Sequence, residues 1–386
     1  MTTVGEERVS TRSWAADSVD LGRVASELSR LHTELTQLET GHDDHPHPRN
    51  CVLNLIIAVS DGQQEEAVQR AVQAVASGHP LRAIILCRRT GEGEGLDAQI
   101  ITQAHQLVRG RSVQLEQVTL KVRGQTAEHT ASLVDPLLVP DVPTYLWWTG
   151  TPPLAEQGLR DALAACDVLI VDSAQFENLT QEFLDLAALA ERLGERLGFV
   201  DLRWVRQKPW RETLAQFFAP KSRREMLMGL ERVVVESVGE GAAGRVGGML
   251  LGGWLMSALD WRLTDAASST HAGAEVLLKR ANGRMIQLTV RAVEQPNLPP
   301  GALRSIHFDG HAGGKEFATH MEIRPDRSDH AHVRIDIGKV ETLHQRLALP
   351  QPTDSDLLLH ALSAARRDRV YLRSLDAAAK LLDALR

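Results

Sequence analysis

A chain of 386 residues is too long for one compact core, and a prior of roughly 150 residues per domain gives two domains. Its charged and apolar fractions, 24% and 43%, are those of an ordinary globular protein, and a formal net charge of −7 gives no reason to invoke nucleic acid. Only Cys51, Cys87 and Cys166 are present, far apart, which excludes a disulfide framework and a four-cysteine zinc site and leaves reduced, mostly buried thiols as the expectation.

The stretch from Met1 to Asp20 carries Glu6, Glu7 and Asp17 and no apolar core, so it fails the pattern of a secretory signal and a cytoplasmic location is expected. Leu21, Val24, Leu28, Leu31, Leu35 and Leu38 follow steps of three and four, which predicts one apolar stripe of a helix. That stripe must pack within the chain, on a partner or on a second subunit. A polar hinge from Gly41 to Asn50 follows. Cys51 to Val59 is almost continuously apolar, as expected of a strand covered on both faces. Ala67, Val68, Ala71, Val72 and Val75 return to helical spacing, Gly78 ends it, and a second apolar strand runs from Ala83 to Cys87.

The alternation continues with a strand at Val118 to Val122, a helix from Ala127 that Pro136 should end, a strand at Thr144 to Trp148, a helix at Leu159 to Ala165 and a strand at Val168 to Val171. This order implies a mostly parallel sheet flanked by helices. Beyond Gly198 a long helix, Gly244 to Trp261, precedes strands at Glu275 to Lys279, Met285 to Val290, Leu303 to Phe308, Phe317 to Ile323 and His332 to Ile337. Asn282-Gly283, Asp309-Gly310 and Gly313-Gly314 mark turns between them, so an antiparallel meander is expected, with a last helix holding Leu372, Leu375, Leu382 and Leu385. The expected organisation is an amino-terminal helix and polar hinge over 1–49, an α/β domain over 50–200 and an α+β domain over 201–386. Gly247 to Leu259 is well short of the ~20 residues that span a bilayer, and reads as a buried helix.

Chemical motifs are weak. Gly91-Glu-Gly-Glu-Gly95 follows a strand, but two carboxylates would repel the phosphate such a loop should hold, so a flexible loop is expected. His42, Asp43, Asp44, His45 and His47 read as a solvated hinge rather than a metal site, and His311-Ala-Gly-Gly-Lys315 as a hairpin turn. No Gly-x-Ser-x-Gly elbow, Walker loop or His-Glu-x-x-His helix occurs. No catalytic residue, metal or cofactor is therefore expected. His79 and Arg82, just before a strand, could hold a sugar phosphate or another anion, or could serve in capping and a salt bridge.

Aromatic placement is more telling. Tyr145-Leu-Trp-Trp148 sits on a strand, and Trp204 and Trp210 bracket Val205-Arg-Gln-Lys-Pro209. Such residues are either core or, where tryptophan and arginine are exposed together, a protein-binding hot spot. Adjacent strand residues point to opposite faces, so Trp147 and Trp148 need cover on both sides.

Several blocks together resemble the OpcA family of glucose-6-phosphate dehydrogenase assembly proteins: His79-Pro-Leu-Arg-Ala83, Leu96-Asp-Ala-Gln-Ile100, Leu133-Val-Asp-Pro-Leu-Leu-Val-Pro-Asp141, Tyr145-Leu-Trp-Trp148 with Gly150, Ile170-Val-Asp-Ser173, and Asp201-Leu-Arg-Trp204 with Pro209-Trp-Arg-Glu212. The resemblance implies an α/β amino-terminal domain, a separate carboxy-terminal domain, and a non-catalytic protein that binds glucose-6-phosphate dehydrogenase and favours its active oligomer. Nucleic acid and membrane are not expected partners. The expected contact residues are Trp147, Trp148, Arg203, Trp204, Trp210 and Arg211, with core packing as the alternative for each. Two other readings are an α/β enzyme acting on a sugar phosphate and an adaptor using the Leu21 to Leu38 stripe.

Overall fold

The computed structural model describes residues 9–40, 51–59, 62–76, 79–89, 93–106, 112–124, 130–270, 273–323, 329–338, 340–363 and 367–386. From the amino terminus the elements are β1 (Val9–Ala16), α1 (Leu21–Thr40), β2 (Leu53–Val59), α2 (Gly62–Ala76), β3 (Leu81–Arg89), β4 (Gly95–Gln106), β5 (Ser112–Arg123), α3 (Thr130–Val134), β6 (Thr144–Trp148), α4 (Gln157–Ala164), β7 (Val168–Val171), α5 (Leu179–Leu193) and β8 (Gly198–Asp201). There follow α6 (Leu202–Arg206), α7 (Lys208–Phe218), α8 (Lys221–Met228), β9 (Leu230–Val238), α9 (Gly241–Ala258), β10 (Arg262–Thr270), β11 (Gly273–Lys279), β12 (Met285–Val293), β13 (Leu303–Ala312), β14 (Lys315–Ile323), β15 (His330–Ile337), β16 (Val340–Ala348), α10 (Asp354–Ser363) and α11 (Arg369–Asp383).

The chain divides into two units. The first comprises Met1–Asp172, Glu195–Val200 and Asp354–Arg366, the second Ser173–Gly194, Asp201–Thr353 and Arg367–Arg386. In the first, an eight-stranded sheet has the order β1-β4-β5-β3-β2-β6-β7-β8. Its centre is parallel, with β3 pairing β5 and β2, and β6 pairing β2 and β7. All described positions of β2, and β3 through Cys87, are buried, as a strand covered on both faces requires. Helix α2 packs on β2, β3 and β5, and α10 packs on α2.

The first sheet is larger than the sequence suggested. The expected loop at Gly91–Gly95 leads instead into β4, which pairs antiparallel with β5 and with the edge strand β1. Gly91 and Glu92 themselves, and the hinge with His42, His45 and His47, lie outside the described residues. Edge strand β1 alternates exposed and half-buried positions, a weak signal that reads as polar chain. Helix α3 ends at Val134, as Pro136 predicts, and the proline sits in the first turn of a 3₁₀ segment over Asp135–Leu137, where its missing N–H costs nothing. The α1 stripe packs on β1 and β4, with Val24, Leu28, Leu31 and Leu35 all buried, so it is core of its own unit and not an adaptor surface.

The second unit holds another eight-stranded sheet, β10-β11-β12-β9-β13-β14-β15-β16. Of the meander expected from Glu275 to Ile337, β11–β12 and β13–β14–β15 pair antiparallel, β16 adds a strand that was not expected, and the sheet as a whole is mixed. The correction comes from β9, which was not anticipated. It inserts between β12 and β13 and pairs parallel with β12, because the chain crosses from β9 through α9 and the β10–β11 hairpin before returning in β12. Helix α9 lies on the sheet through glycines, since a Cβ on Gly248 would stand 2.5 Å from Val290 Cγ1 and one on Gly252 2.9 Å from Leu288 Cδ2. Among the described residues no helix is long and apolar enough to cross a membrane.

Candidate functional site

Arg82 does not present its guanidinium to an incoming anion. It lies on β3 opposite Glu116 of β5, both at most 4% exposed, and donates from Nε and Nη2 to Glu116 Oε2 at 2.7 and 2.5 Å and from Nη1 to Leu137 O at 2.7 Å. His32 of α1 brings Nδ1 within 2.8 Å of the other carboxylate oxygen. Burial pushes the Glu116 carboxyl up, but the His32 hydrogen bond and the charge of Arg82 outweigh it and hold the group down at about 2. His79, half-buried, donates its backbone N–H to Val75 O and closes the carboxyl end of α2.

Trp147 and Trp148 are 8% and 3% exposed and belong to the first unit. Trp147 shares a face with Tyr145, whose hydroxyl donates to Leu362 O of α10 at 3.5 Å, and Arg88 lies 5.4 Å from the Trp148 ring centroid. Both tryptophans are therefore buried, one on each face of β6. The Cys87 and Cys166 thiols are buried, and burial pushes each up to about 12, so neither is a thiolate at neutral pH.

The other aromatic block forms a buried polar network in the second unit. Asp201, fully buried, caps α6 by accepting from Arg203 N at 2.9 Å and also accepts from Ser173 N at 3.0 Å and Ser173 Oγ at 2.7 Å. Tyr371 of α11 donates to the same carboxylate at 3.5 Å, and burial, then the Asp201 charge, raises its hydroxyl well above the usual phenol range, keeping it a donor. Arg203 donates to Ser173 O at 3.0 Å and fits beside two glycines: a Cβ on Gly247 or Gly301 would stand 3.1 or 3.0 Å from its Nη1. Trp204 donates from Nε1 to Asp368 Oδ2 at 3.0 Å, the residue that caps α11, and its ring lies 5.6 Å from Tyr371.

Arg211 completes the network. Its guanidinium sits 3.2 Å from the Trp204 ring centroid and donates to Trp204 O at 2.8 Å. Burial pulls it down to about 9 against Asp368 and Glu212, so it stays charged at neutral pH. Thus Arg203, Trp204 and Arg211 come together, Trp210 is buried on the same helix pair, and Trp147, Trp148, His79 and Arg82 belong to the other unit. Asp201→Ala removes the cap of α6 and is expected to destabilise by about 2 kcal/mol, read as an earlier urea midpoint by tryptophan fluorescence.

Two features of this unit escaped the sequence. On the sheet, Ser305 Oγ donates to Glu236 Oε2 at 2.6 Å and contacts His307 Nε2 at 3.0 Å, so His307 carries its proton on Nε2 and accepts at Nδ1 from His320 Nδ1. Burial, then the charge of His320, lowers the His307 imidazolium. The second feature is an open apolar groove of about 550 Å³ where α7, α8 and α9 meet. Leu214 and Leu255 lie at its base, Leu227, Met228 and Trp254 form its sides, and Arg224 is its charged lining residue. Trp254 gave one signal in sequence: Gly253 and Gly252 turn the small faces of α9 to α11 and the sheet, which sends the large neighbour elsewhere.

A parallel-centred sheet in one unit and a mixed sheet in the other, each with helices, define a two-sheet α/β protein. Residues 72–188 match the pattern described as glucose-6-phosphate dehydrogenase subunit N-terminal domain, and residues 197–375 match the corresponding C-terminal domain. The chain belongs to the OpcA family. Relatives named OpcA are 30% identical over 193 residues in Synechocystis sp. and 31% over 196 residues in Nostoc punctiforme, covering 48% and 50% of this chain. The chain spans less than half of their length, 38% and 41%. Among solved structures, the NADP complex of KijD10, a 3-ketoreductase from Actinomadura kijaniata, is 15% identical with a TM-score of 0.46, over 87% of this chain and 97% of that one. UDP-N-acetylglucosamine 3-dehydrogenase GnnA from Acidithiobacillus ferrooxidans is 14% identical with a TM-score of 0.43, over 87% and 98%.

Proposed function

We propose that this chain is a cytoplasmic, non-catalytic activator that binds glucose-6-phosphate dehydrogenase and favours its active oligomer, supporting the oxidative pentose phosphate pathway and its supply of NADPH. The observation that carries the reading is the family membership, because both matched domains are described as parts of a glucose-6-phosphate dehydrogenase subunit. A binding role rather than catalysis is supported by the state of the candidate anion site, where the Arg82 guanidinium is spent on Glu116 and Leu137.

An activator must bind the active state of its partner more tightly than the inactive one, and a tenfold shift needs only about 1.4 kcal/mol of differential affinity. The contact region proposed is the surface carried by α6 and α7, which Arg203, Trp204, Trp210 and Arg211 hold rigid from beneath. The test is the activity and oligomeric state of the same organism's glucose-6-phosphate dehydrogenase, with and without this chain, across a substrate titration. A co-eluting complex with a lowered apparent KM is expected. No complex and no kinetic change would overturn the reading.

A further inference from the structure

We infer that the α7–α8–α9 groove is the seat of one amphipathic helix of the partner dehydrogenase, a helix that lays apolar side chains into the groove and presents a carboxylate to Arg224. The inference rests on the function proposed above and deepens it by naming the contact.

The groove is apolar, but its surroundings are basic. Helix α8 carries Lys221, Arg223 and Arg224 against Glu225, a local cation surplus in a chain of net charge −7. At the other end of α8, Arg280 donates to the carbonyls of Leu227, Met228 and Leu230, with Arg284 and the opposite charge of Glu231 both close by, so the cation surplus lies at the Lys221–Arg224 end. Arg224 is exposed and donates from Nη2 to Ala219 O at 2.8 Å, and a guanidinium has five donors, so it can also meet a carboxylate. An occupant that matches these charges is acidic on its flank and apolar on its buried face.

Shape selects a helix. Walls made of helices have their backbone groups already bonded, so an extended segment pressed against them would leave its own N–H and C=O groups facing hydrocarbon, whereas a helix satisfies them internally. Ala215 on α7, Ala219 just past its end and Ala258 on α9 are exposed small residues in the lining, where a second helix can come close. Met228 is 67% exposed, and its unbranched thioether can adapt to a knob from the incoming helix. A second copy of this chain is the poorer occupant. The apolar faces of its strongly amphipathic helices α1 and α11 are buried in their own units.

The test measures binding of the full chain to the same organism's glucose-6-phosphate dehydrogenase by surface plasmon resonance, with Met228→Glu, Arg224→Glu and, as a control on the exposed edge strand β16, Val340→Glu. The positions are exposed, so unchanged circular dichroism and melting temperature are expected for all three. Binding at least tenfold weaker is expected for Met228→Glu and Arg224→Glu, with Val340→Glu within twofold of wild type. A photo-crosslinker, Met228→p-benzoylphenylalanine, should capture an acidic helical segment of the dehydrogenase. If the wild-type chain binds and both groove variants bind within twofold of it, the groove assignment fails while the proposed function stands. Dimerisation of this chain that Met228→Glu abolishes, with dehydrogenase binding untouched, would assign the groove to a second copy and overturn the occupant. No binding by the wild-type chain overturns the proposed function and this inference together.

Discussion

Glu116→Leu is expected to cost about 3–5 kcal/mol of stability, because it strips the counter-charge from a guanidinium that is 2% exposed. Arg82 would keep only Leu137 O, and the desolvated charge cannot move to water without opening the β3–β5 pairing that holds it. The double variant Arg82→Met/Glu116→Leu should recover most of that loss, since a buried pair replaced by apolar groups of similar volume is often neutral. Urea denaturation at pH 7 of the wild type, the single and the double variant checks both statements, and a single variant as stable as the wild type would show that the pair carries no stabilisation. The pH dependence has a defined sign. Glu116 is held at about 2 against an ordinary 4.5, so its contribution is complete above pH 4.5 and is lost as the pH falls toward 2. The double variant should show a shallower acid limb over that window.

Gly253→Ala is the second large effect, and its sign runs against helix propensity. In an isolated helix the change would stabilise by about 1 kcal/mol. Here the added Cβ would stand 2.5 Å from Ser374 O and 2.6 Å from Ala378 N, backbone atoms of α11 that cannot rotate away. Helix α11 must shift, and Tyr371 and Asp368 on it belong to the Asp201 and Trp204 network. Overpacking of this kind costs about 1–3 kcal/mol, so a net loss is expected, with Gly253→Leu worse. Thermal melts read by circular dichroism decide it: a higher melting temperature for Gly253→Ala would mean that α9 and α11 have room to separate.

Much of the fold was legible because period and burial agree where a sheet is covered on both sides. Leu53 to Val59 and Thr144 to Trp148 are short runs broken only by Asn54 and opened by Thr144, and a strand covered on both faces suits them. Edge and hairpin strands were harder. Strand β4 carries Asp97, Gln99 and Gln103, which reach solvent on an edge-side strand, and a buried Thr102, and this polar content makes it read as loop. Strand β9 was lost because its parallel pairing with β12 bridges the whole α9 crossover, and sequence shows no sign of partners so far apart. At the site, Asp201-Leu-Arg-Trp204 was visible as a block, but its purpose was not. Asp201 finds Ser173 and Tyr371, and Trp204 finds Asp368, only through the packing of α6 and α11. The groove was invisible for the same reason, since Met228 and Trp254 meet only after β9 has turned the chain.

The interleaving of the two units sets an order of events on the ribosome. Segment Asp354–Arg366 belongs to the first unit, and its helix α10 buries Leu357, Leu358 and Ala361 and packs on α2. Domains commonly fold as they emerge, amino-terminal first. This one cannot finish that way: the unit begun at Val9 waits, with the side of α2 that α10 covers left open, until Ser363 has been made. The second unit likewise takes in Arg367–Arg386 with α11, so both units close only after their last helices have emerged.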